Sequence, residues 1–136
     1  MNINVKGEVK IKSETSLVQV RRKLRDITEE LGFGVTDTTR IITAASELVR
    51  NIVQFAETGV MKWEIIEEEN RKGIKLTFKD QGPGIPDVEK AMVEGYSTGN
   101  GLGLGLSGTK QLMDEMDINS KVGQGTRITI KKWLRI

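Results

Sequence analysis

Two long stretches of the chain repeat apolar residues in steps of three and four, which is the spacing of one face of an α-helix. The apolar positions are Leu17, Val20, Leu24, Ile27 and Leu31 in the first stretch, and Ile41, Ala45, Leu48, Ile52 and Phe55 in the second. Gly32 and Gly34 end the first helix, and Thr36 or Asp37 begins the second, since both are good capping residues. The sequence therefore predicts two consecutive amphipathic helices, each of which must bury one face.

Alternation of apolar and polar residues predicts strands on both sides of this helix pair. The apolar positions are Val5, Val9 and Ile11 before the helices, Met61, Trp63 and Ile65 and then Ile74, Leu76 and Phe78 after them, and Ile118, Val122, Ile128 and Ile130 near the end. The stretch from Glu67 to Gly73 joins the middle two strands as a hairpin, and a turn at 123–125 joins the last two. Residues 106–116 return to helical spacing, and Asp87 is expected to cap a short helix before them.

Helices and strands that come in pairs, joined by short turns, favour a mixed, mostly antiparallel sheet with helices on one face. This is a two-layer α/β sandwich of the α+β class, and the order argues against a doubly wound parallel sheet. The length of 136 residues suits one domain with one core, so residues 1–136 are interpreted as a single domain. Since the sequence shows neither a signal peptide nor an apolar run of membrane-spanning length, we expect a cytoplasmic protein.

The chain contains no cysteine and no histidine, which narrows the chemistry open to it. Disulfides, thiolate nucleophiles and cysteine-bound metals are excluded, and so are a histidine base and a phosphorylated histidine. Its 21 basic and 19 acidic residues are interspersed and leave a formal charge of +2. We therefore expect neither a nucleic acid nor a membrane among its partners. Any catalysis must use carboxylates, amides, hydroxyls, Lys, Arg or backbone groups.

Glu47 and Asn51 stand four residues apart on the second predicted helix. Their side of the helix lies beside its apolar face, at the rim between core and surface. An asparagine carbonyl can supply an oxygen ligand to Mg²⁺, and a carboxylate one turn away can accept a proton from an attacking hydroxyl. Taken alone, the pair is better explained as two ordinary surface residues, because this spacing is common by chance.

Asp80 ends a predicted strand and is followed by a turn that contains Gly82 and Gly84. Two glycines let a backbone approach a flat ligand closely. An aspartate at such a strand end can accept a hydrogen bond from an exocyclic amino group such as that of adenine. A plain β-turn explains the segment equally well.

A second glycine-bearing segment, Ser97 to Leu106, leads into a predicted helix. Free backbone N–H groups and the positive end of a helix make such a segment a phosphate-binding device. It is not a P-loop, because no Gly-Lys-Ser/Thr follows, and not a dinucleotide fingerprint, because no strand leads directly into it. A flexible surface loop is the less favoured alternative. Thr126, which follows the turn at 123–125, either reaches a ligand or pairs across strands, and pairing is slightly favoured.

These segments occur together in an order that resembles the GHKL superfamily of gyrases, heat-shock chaperones, histidine kinases and MutL-type ATPases. The matching segments are Glu47-x-x-x-Asn51 for its N box, Asp80-x-Gly82-x-Gly84 for its first glycine box, Gly101-x-Gly103-Leu104-Gly105-Leu106 for its second, and Gly125-Thr126 for its terminal threonine motif. Further segments, among them Glu30-Leu31-Gly32-Phe33-Gly34 and Lys132-Trp133-Leu134-Arg135, are similar to the RsbT-type switch kinases of the bacterial stressosome. This closer resemblance spans residues 9–135.

The resemblance implies a Bergerat-fold ATP sandwich that contains a left-handed βαβ unit. It also implies serine/threonine kinase activity on a STAS-domain protein of the anti-sigma-antagonist type, with ATP and Mg²⁺ as cofactors. A metal-dependent serine/threonine phosphatase that the kinase regulates is a further implied partner. The alternative is an ATP-binding anti-sigma or switch-binding module with little or no kinase activity. Glu47 favours the kinase, because a pure binding module needs no base at that position.

The resemblance also assigns roles to residues of this sequence. Glu47 would be the catalytic residue that orients or deprotonates the substrate hydroxyl, and Asn51 would coordinate Mg²⁺. Asp80 would bind the adenine amino group. The other implied nucleotide-binding residues are Gly82, Gly84 and Ile85 around the base, Gly101, Gly103, Leu104 and Gly105 in the phosphate-covering lid and helix start, and Thr126 at the adenine end.

The sequence departs from the related anti-sigma kinases in one respect. Those proteins carry an arginine in the lid near the position of Gly101, where it can meet the γ-phosphate, and none stands there in this chain. Either Lys110 or Arg50 substitutes for it, or Mg²⁺ and backbone groups alone meet the phosphate charge.

Overall fold

The computed structural model of the chain describes residues 5–84 and 105–135, which form five strands and three helices. In chain order these are β1 (Lys6–Ile11), α1 (Ser16–Leu31), α2 (Val35–Phe55), β2 (Gly59–Glu68), β3 (Arg71–Asp80), α3 (Gly105–Leu112), β4 (Glu115–Lys121) and β5 (Gly125–Trp133). None of these helices combines the length and the apolar character that a membrane span requires. The short helix predicted after Asp87 lies outside the described residues.

The five strands form one sheet in the order β1-β2-β3-β5-β4, in which every neighbouring pair is antiparallel. Since β5 lies between β3 and β4, these two strands run in the same direction, and the chain crosses over between them. The predicted α+β sandwich is confirmed. The sheet in the described part of the chain is antiparallel throughout rather than mixed.

The hairpin between β2 and β3 is tighter than the sequence predicted. Instead of a connection from Glu67 to Gly73, the strands continue to a turn of two residues, Glu69 and Asn70. Both have positive φ, 50° and 66°, as a type I′ turn requires, and this turn matches the twist of the strands that it joins. The prediction of a hairpin was right, but the charged residues beside the turn belong to the strands.

One side of the sheet is apolar because the strands alternate, and this side carries the helices. One row across it consists of Val9, Met61, Phe78, Ile128 and Ile118, and the next of Trp63, Leu76, Ile130 and Met116. The buried helix residues of the same core include Val20, Leu24 and Ile27 of α1 and Ile41, Leu48 and Ile52 of α2. The predicted helix faces are therefore the buried faces, while the other side of the sheet is polar and charged.

α2 begins at Val35, one or two residues before the predicted start at Thr36 or Asp37. Gly34 is its N-cap, and the Gly34 carbonyl accepts the Thr38 N–H at 2.9 Å, which starts the helical ladder. No side chain caps this end. Asp37 instead lies in the first turn, where the helix dipole favours a negative charge.

Three apolar residues at the ends of elements lie elsewhere than their spacing predicted. Met116 lies in β4 opposite Ile130 rather than on α3, because the chain already pairs with β5 at Asp114. Val122 lies in the turn before β5 and is 67% exposed, and Phe55, the last residue of α2, is 39% exposed. A helical or alternating pattern does not define where an element ends.

Lys132 places a charge on the helix-facing side of β5, where the residue is only 3% exposed. Its Nζ donates to the Leu112 carbonyl at 2.9 Å and lies 3.7 Å from Asp37 Oδ1 and 3.6 Å from Asp114 Oδ1. One ammonium group therefore joins the first turn of α2, the end of α3 and the residue before β4. Arg135 contacts the same two carboxylates from the solvent side. The buried charge is thus compensated, as burial requires.

We expect Lys132→Met to lower the free energy of unfolding by about 2–4 kcal/mol, because it leaves two carboxylates and a carbonyl without their shared buried donor. The matched control is Lys131→Met in the same strand. Lys131 is 27% exposed, and its two ion pairs are 3.9 and 4.0 Å long, so its loss should cost less than about 1 kcal/mol. Urea unfolding of both variants measures the difference, and equal losses would contradict the role given to Lys132.

Candidate functional site

The structure brings two predicted site residues together at one end of the sheet. Asp80, the last residue of β3, lies directly opposite Thr126 in β5 and Gly59 in β2. Since side chains alternate along a strand, Asp80 and Thr126 lie on the helix-facing side. A groove of about 1160 Å³ opens at this end of the sheet, and both residues line it.

The turn after β3 approaches its neighbours so closely that two of its positions have no room for a side chain. A Cβ on Gly82 would lie 2.6 Å from Cβ of Ala56, the C-cap residue that follows α2. Gly84 has a φ of 81°, and a Cβ there would collide with the Lys121 carbonyl of β4. The two glycines therefore let the turn lie between the end of α2 and the β4–β5 hairpin. This packing reason for them is independent of any ligand.

The carboxylate of Asp80 has one oxygen engaged and one available. Oδ1 accepts the Gly82 N–H at 2.9 Å, which holds the turn against the strand end. Oδ2 makes no hydrogen bond to any residue in 5–84 or 105–135. The side chain is half-buried, so a ligand in the groove can approach the free oxygen.

Thr126 pairs across the strands, which is the interpretation that the sequence slightly favoured over contact with a ligand. Its Oγ1 lies 3.0 Å from Oγ of Ser120 in β4, and the Ser120 hydroxyl also lies 3.2 Å from the Gly125 carbonyl. Sequence reasoning did not identify Ser120. The signal that could have found it is the turn at 122–124, because residues equally far from a hairpin turn face each other.

Glu47 and Asn51 both lie on α2, but their surroundings differ. Glu47 is buried, with 8% of the residue exposed, and its Oε1 lies 3.3 Å from Nη1 of Arg50. It is therefore farther inside than the predicted position at the rim. Asn51 is half-buried, and its side chain makes no hydrogen bond within the described part of the chain. An unbonded amide beside a buried carboxylate can act as a ligand-binding group.

These residues lie at different distances from the groove along the axis of α2. Asn51 precedes Ala56, which contacts Gly82, by five residues, or about 7 Å along the helix axis. Glu47 precedes Ala56 by nine residues, or about 14 Å. The groove includes Ala56 and Asp80 but neither Glu47 nor Asn51, so the predicted residues define two regions joined by the last turns of α2 rather than one enclosed pocket.

Gly105 is the first residue of α3, with a φ of 72°, so the predicted helix start is confirmed at this position. Of the two basic residues considered as replacements for a lid arginine, Lys110 lies in the last turn of α3, away from the start of that helix. Arg50 lies beside Glu47. The predicted residues Ile85, Gly101, Gly103 and Leu104 lie outside the described residues.

The donor set available to a metal ion is small. Within the described ranges no three His, Cys, Asp or Glu side chains are close enough together to hold a metal ion. The Asn51 carbonyl is an oxygen ligand of the kind that Mg²⁺ accepts. Mg²⁺ usually keeps several waters and binds through one or two side chains and the phosphates of its substrate, so the residues present fit an ion that arrives with a nucleotide.

Comparison with known proteins matches residues 36–136 to the family described as histidine kinase-, DNA gyrase B-, and HSP90-like ATPase. The chain is similar to the serine/threonine-protein kinase RsbT of Bacillus subtilis, with 47% identity over 98% of this chain and 100% of that protein. It is also similar to anti-sigma F factors. That of Clostridium novyi is 36% identical over 71% of both chains, and that of Geobacillus stearothermophilus is 33% identical over 69% of this chain and 68% of that protein.

Solved structures share the fold. The RsbU and RsbW domains of a Mycobacterium tuberculosis protein match with a TM-score of 0.63 and 20% identity, over 96% of this chain and 33% of that chain. The mycobacterial sensor histidine kinase MprB matches with a TM-score of 0.52 and 19% identity, over 96% of this chain and 99% of that chain. The family match spans well over half of the chain, and the identity to RsbT spans nearly all of it. The chain therefore belongs to the family of histidine kinase-, DNA gyrase B- and HSP90-like ATPases, the GHKL superfamily.

Proposed function

We propose that this chain is a serine/threonine-protein kinase that uses Mg·ATP to phosphorylate a STAS-domain protein in a bacterial partner switch. One observation carries the proposal. Helix α2 bears a buried carboxylate, Glu47, and an amide, Asn51, that makes no hydrogen bond to the described residues, and the end of the helix packs on the turn that presents Asp80. A nucleotide held at Asp80 and extended along α2 would bring its phosphates toward the other two residues.

Asp80 is suited to hold the base. Its Oδ2 accepts no hydrogen bond from the described residues and can act as an acceptor, and the exocyclic amino group of adenine is a donor. A purine with a carbonyl oxygen in place of that amino group would instead meet a repelling carboxylate. The Asp80 end of the groove therefore selects adenine over guanine and hypoxanthine.

Asn51 is suited to hold the ion that accompanies the phosphates, one to two helical turns from the base site. When bound, Mg²⁺ neutralises charge on the transferring phosphoryl group. The backbone N–H groups at the start of α3 supply further positive potential, since that helix begins at Gly105. Arg50, beside Glu47, is the nearest described cation to the proposed base.

Glu47 is suited to receive the proton in the transfer step. The oxygen of a serine or threonine hydroxyl bonds to the γ-phosphorus, while the bond from that phosphorus to the β–γ bridging oxygen breaks and ADP leaves. The hydroxyl proton passes to the Glu47 carboxylate. The contact with Arg50 Nη1 at 3.3 Å holds the carboxylate in place on α2.

The proposed partner proteins are inferred from the similar proteins and not from the geometry of the site. Matches to a switch kinase and to anti-sigma F factors support a STAS-domain substrate, and the match to a structure with RsbU and RsbW domains supports a phosphatase partner. The names of the anti-sigma F factors also keep a second function in view, a module that binds its partner with ATP as a conformational ligand. The kinase requires Glu47 for phosphoryl transfer, whereas the binding module does not require it.

We expect Glu47→Gln to lower kcat for phosphorylation of a STAS-domain substrate by at least about 100-fold, because the amide cannot accept the hydroxyl proton. Glutamine keeps the size of the buried side chain, so the affinity for ATP should stay within about threefold of the original. Glu29→Gln on the exposed side of α1 is the matched control. A Glu47→Gln protein with normal kcat would refute the base assignment and favour the binding module.

We expect Asp80→Asn to weaken ATP binding by about 10- to 100-fold, since it replaces a charged acceptor by a neutral one. Asparagine can still accept the Gly82 N–H, so the turn is retained. Its amide can also donate to a 6-oxo purine, so the preference for ATP over ITP should shrink. Calorimetry with both nucleotides measures this, with Asp117→Asn in β4 as the control. An unchanged ratio of the two affinities would show that Asp80 does not read the base.

A further inference from the structure

The side of the sheet that faces away from the helices carries a row of cations that have no acidic partner among the described residues. We define the basic strip as Lys10, Lys79, Lys121 and Arg127, which come from β1, β3, β4 and β5. All four are exposed, and all four line the groove at the Asp80 end of the sheet. Their exposure excludes a role in packing the core.

The register places two of these cations in direct opposition. Lys79 pairs with Arg127 across β3 and β5. Like charges at directly opposed positions destabilise a sheet, because their Cβ atoms are only about 5 Å apart. Lys10 continues the row two strands away, with Val60 between them. From Lys10 to Arg127 the row crosses four strands, or about 14 Å, and Lys121 lies on the fifth strand, two positions nearer the turn than the residue opposite Arg127.

A second pair of opposed cations on the same face is compensated by nearby carboxylates. Lys75 lies opposite Lys131, but Nζ of Lys131 has carboxylate oxygens of Glu68 and Glu115 at 4.0 and 3.9 Å. No member of the basic strip has an acidic group within 4.0 Å in the described part of the chain. The fold compensates one pair and leaves the other exposed, so the repulsion within the strip lowers stability slightly and is relieved when an anion binds.

The surroundings of the strip select among anions. The side chains of Asp80 and Thr126 lie on the other side of the sheet, so the strip and the proposed base site line the same groove from opposite sides of the sheet. No aromatic side chain lies in the row for base stacking, and Glu8 and Asp117 in the next row repel a continuous phosphate backbone. Discrete carboxylates spaced over 14 Å suit the strip better.

We propose that the basic strip is a docking surface for an acidic segment of a partner protein, separate from the site of phosphoryl transfer. A helix of about nine residues spans 14 Å, so acidic side chains on two or three successive turns would meet Lys10, Lys79 and Arg127. Binding stabilises the complex by relieving the repulsion between Lys79 and Arg127. Because Lys79 and Arg127 adjoin Asp80 and Thr126 in sequence and line the same groove, the docked segment lies on the open-face side of that groove.

The first test compares stability with binding in one variant. Lys79→Glu turns the repulsive pair with Arg127 into an attractive one, so the melting temperature should rise by about 1–4 °C. The same variant should bind fluorescein-labelled poly-L-glutamate at least about fivefold more weakly at low salt. A gain in stability with a loss of binding is the expected signature of a site kept for a partner. A variant that is less stable, or that binds poly-L-glutamate unchanged, overturns the proposal.

The second test separates position from net charge. The strip variant carries both Lys79→Glu and Arg127→Glu. The control carries both Lys6→Glu and Lys75→Glu, which lie at the other end of the same face and change the net charge by the same amount. The strip variant should lose at least about tenfold in affinity for poly-L-glutamate, and the control no more than about twofold. Equal losses in the two variants refute a localised docking surface.

The same proteins discriminate among other ligands. The intact protein should bind poly-L-glutamate more tightly than single-stranded DNA of equal charge or phosphatidylserine vesicles, and a reversed order overturns the choice of partner. ATP affinity should be unchanged in the strip variant, and its loss would assign the strip to the nucleotide instead. The proposal stands independently of the kinase assignment, since none of these readouts requires phosphoryl transfer.

Discussion

The burial of one face of α2 against the sheet is the constraint on which the site depends. Ile41, Leu48 and Ile52 are almost fully buried in the common core, so the helix cannot rotate about its axis without exposing them. That fixed rotation determines where Glu47 and Asn51 lie. The candidate transfer residues are therefore held in position by the apolar packing of the same helix.

Charged residues have opposite environments on the two sides of the sheet. On the helix side, Lys132 is buried but joined to two carboxylates and a carbonyl, so that it connects α2, α3 and β4. On the open side, Lys79 and Arg127 are exposed and directly opposed, and neither has an acidic partner in residues 5–84 or 105–135. A buried charge must be paired to be tolerated at all, whereas an exposed repulsion costs little enough to be kept for binding.

Much of the fold could be predicted from periodicity, because burial of one face imposes a repeat of 3.6 or 2 on the sequence. The predicted helix faces and strands are confirmed, while several predicted ends of helices and strands differ from the structure. Met116, for example, continues the helical spacing of α3 and yet lies in β4. Hydrogen bonds at Asp114 decide that boundary, and they depend on β5, which comes later in the chain.

The sequence by itself determined the family, the fold class and the residue types open to catalysis, because boxes in a fixed order and the absence of histidine and cysteine are properties of the chain alone. Only the tertiary structure decided which residues meet. Glu47 is buried against Arg50, Thr126 pairs with Ser120, and Lys79 faces Arg127 because helix rotation and strand register bring them together. Those contacts join residues whose closeness depends on packing across the whole domain, and no local pattern encodes that packing.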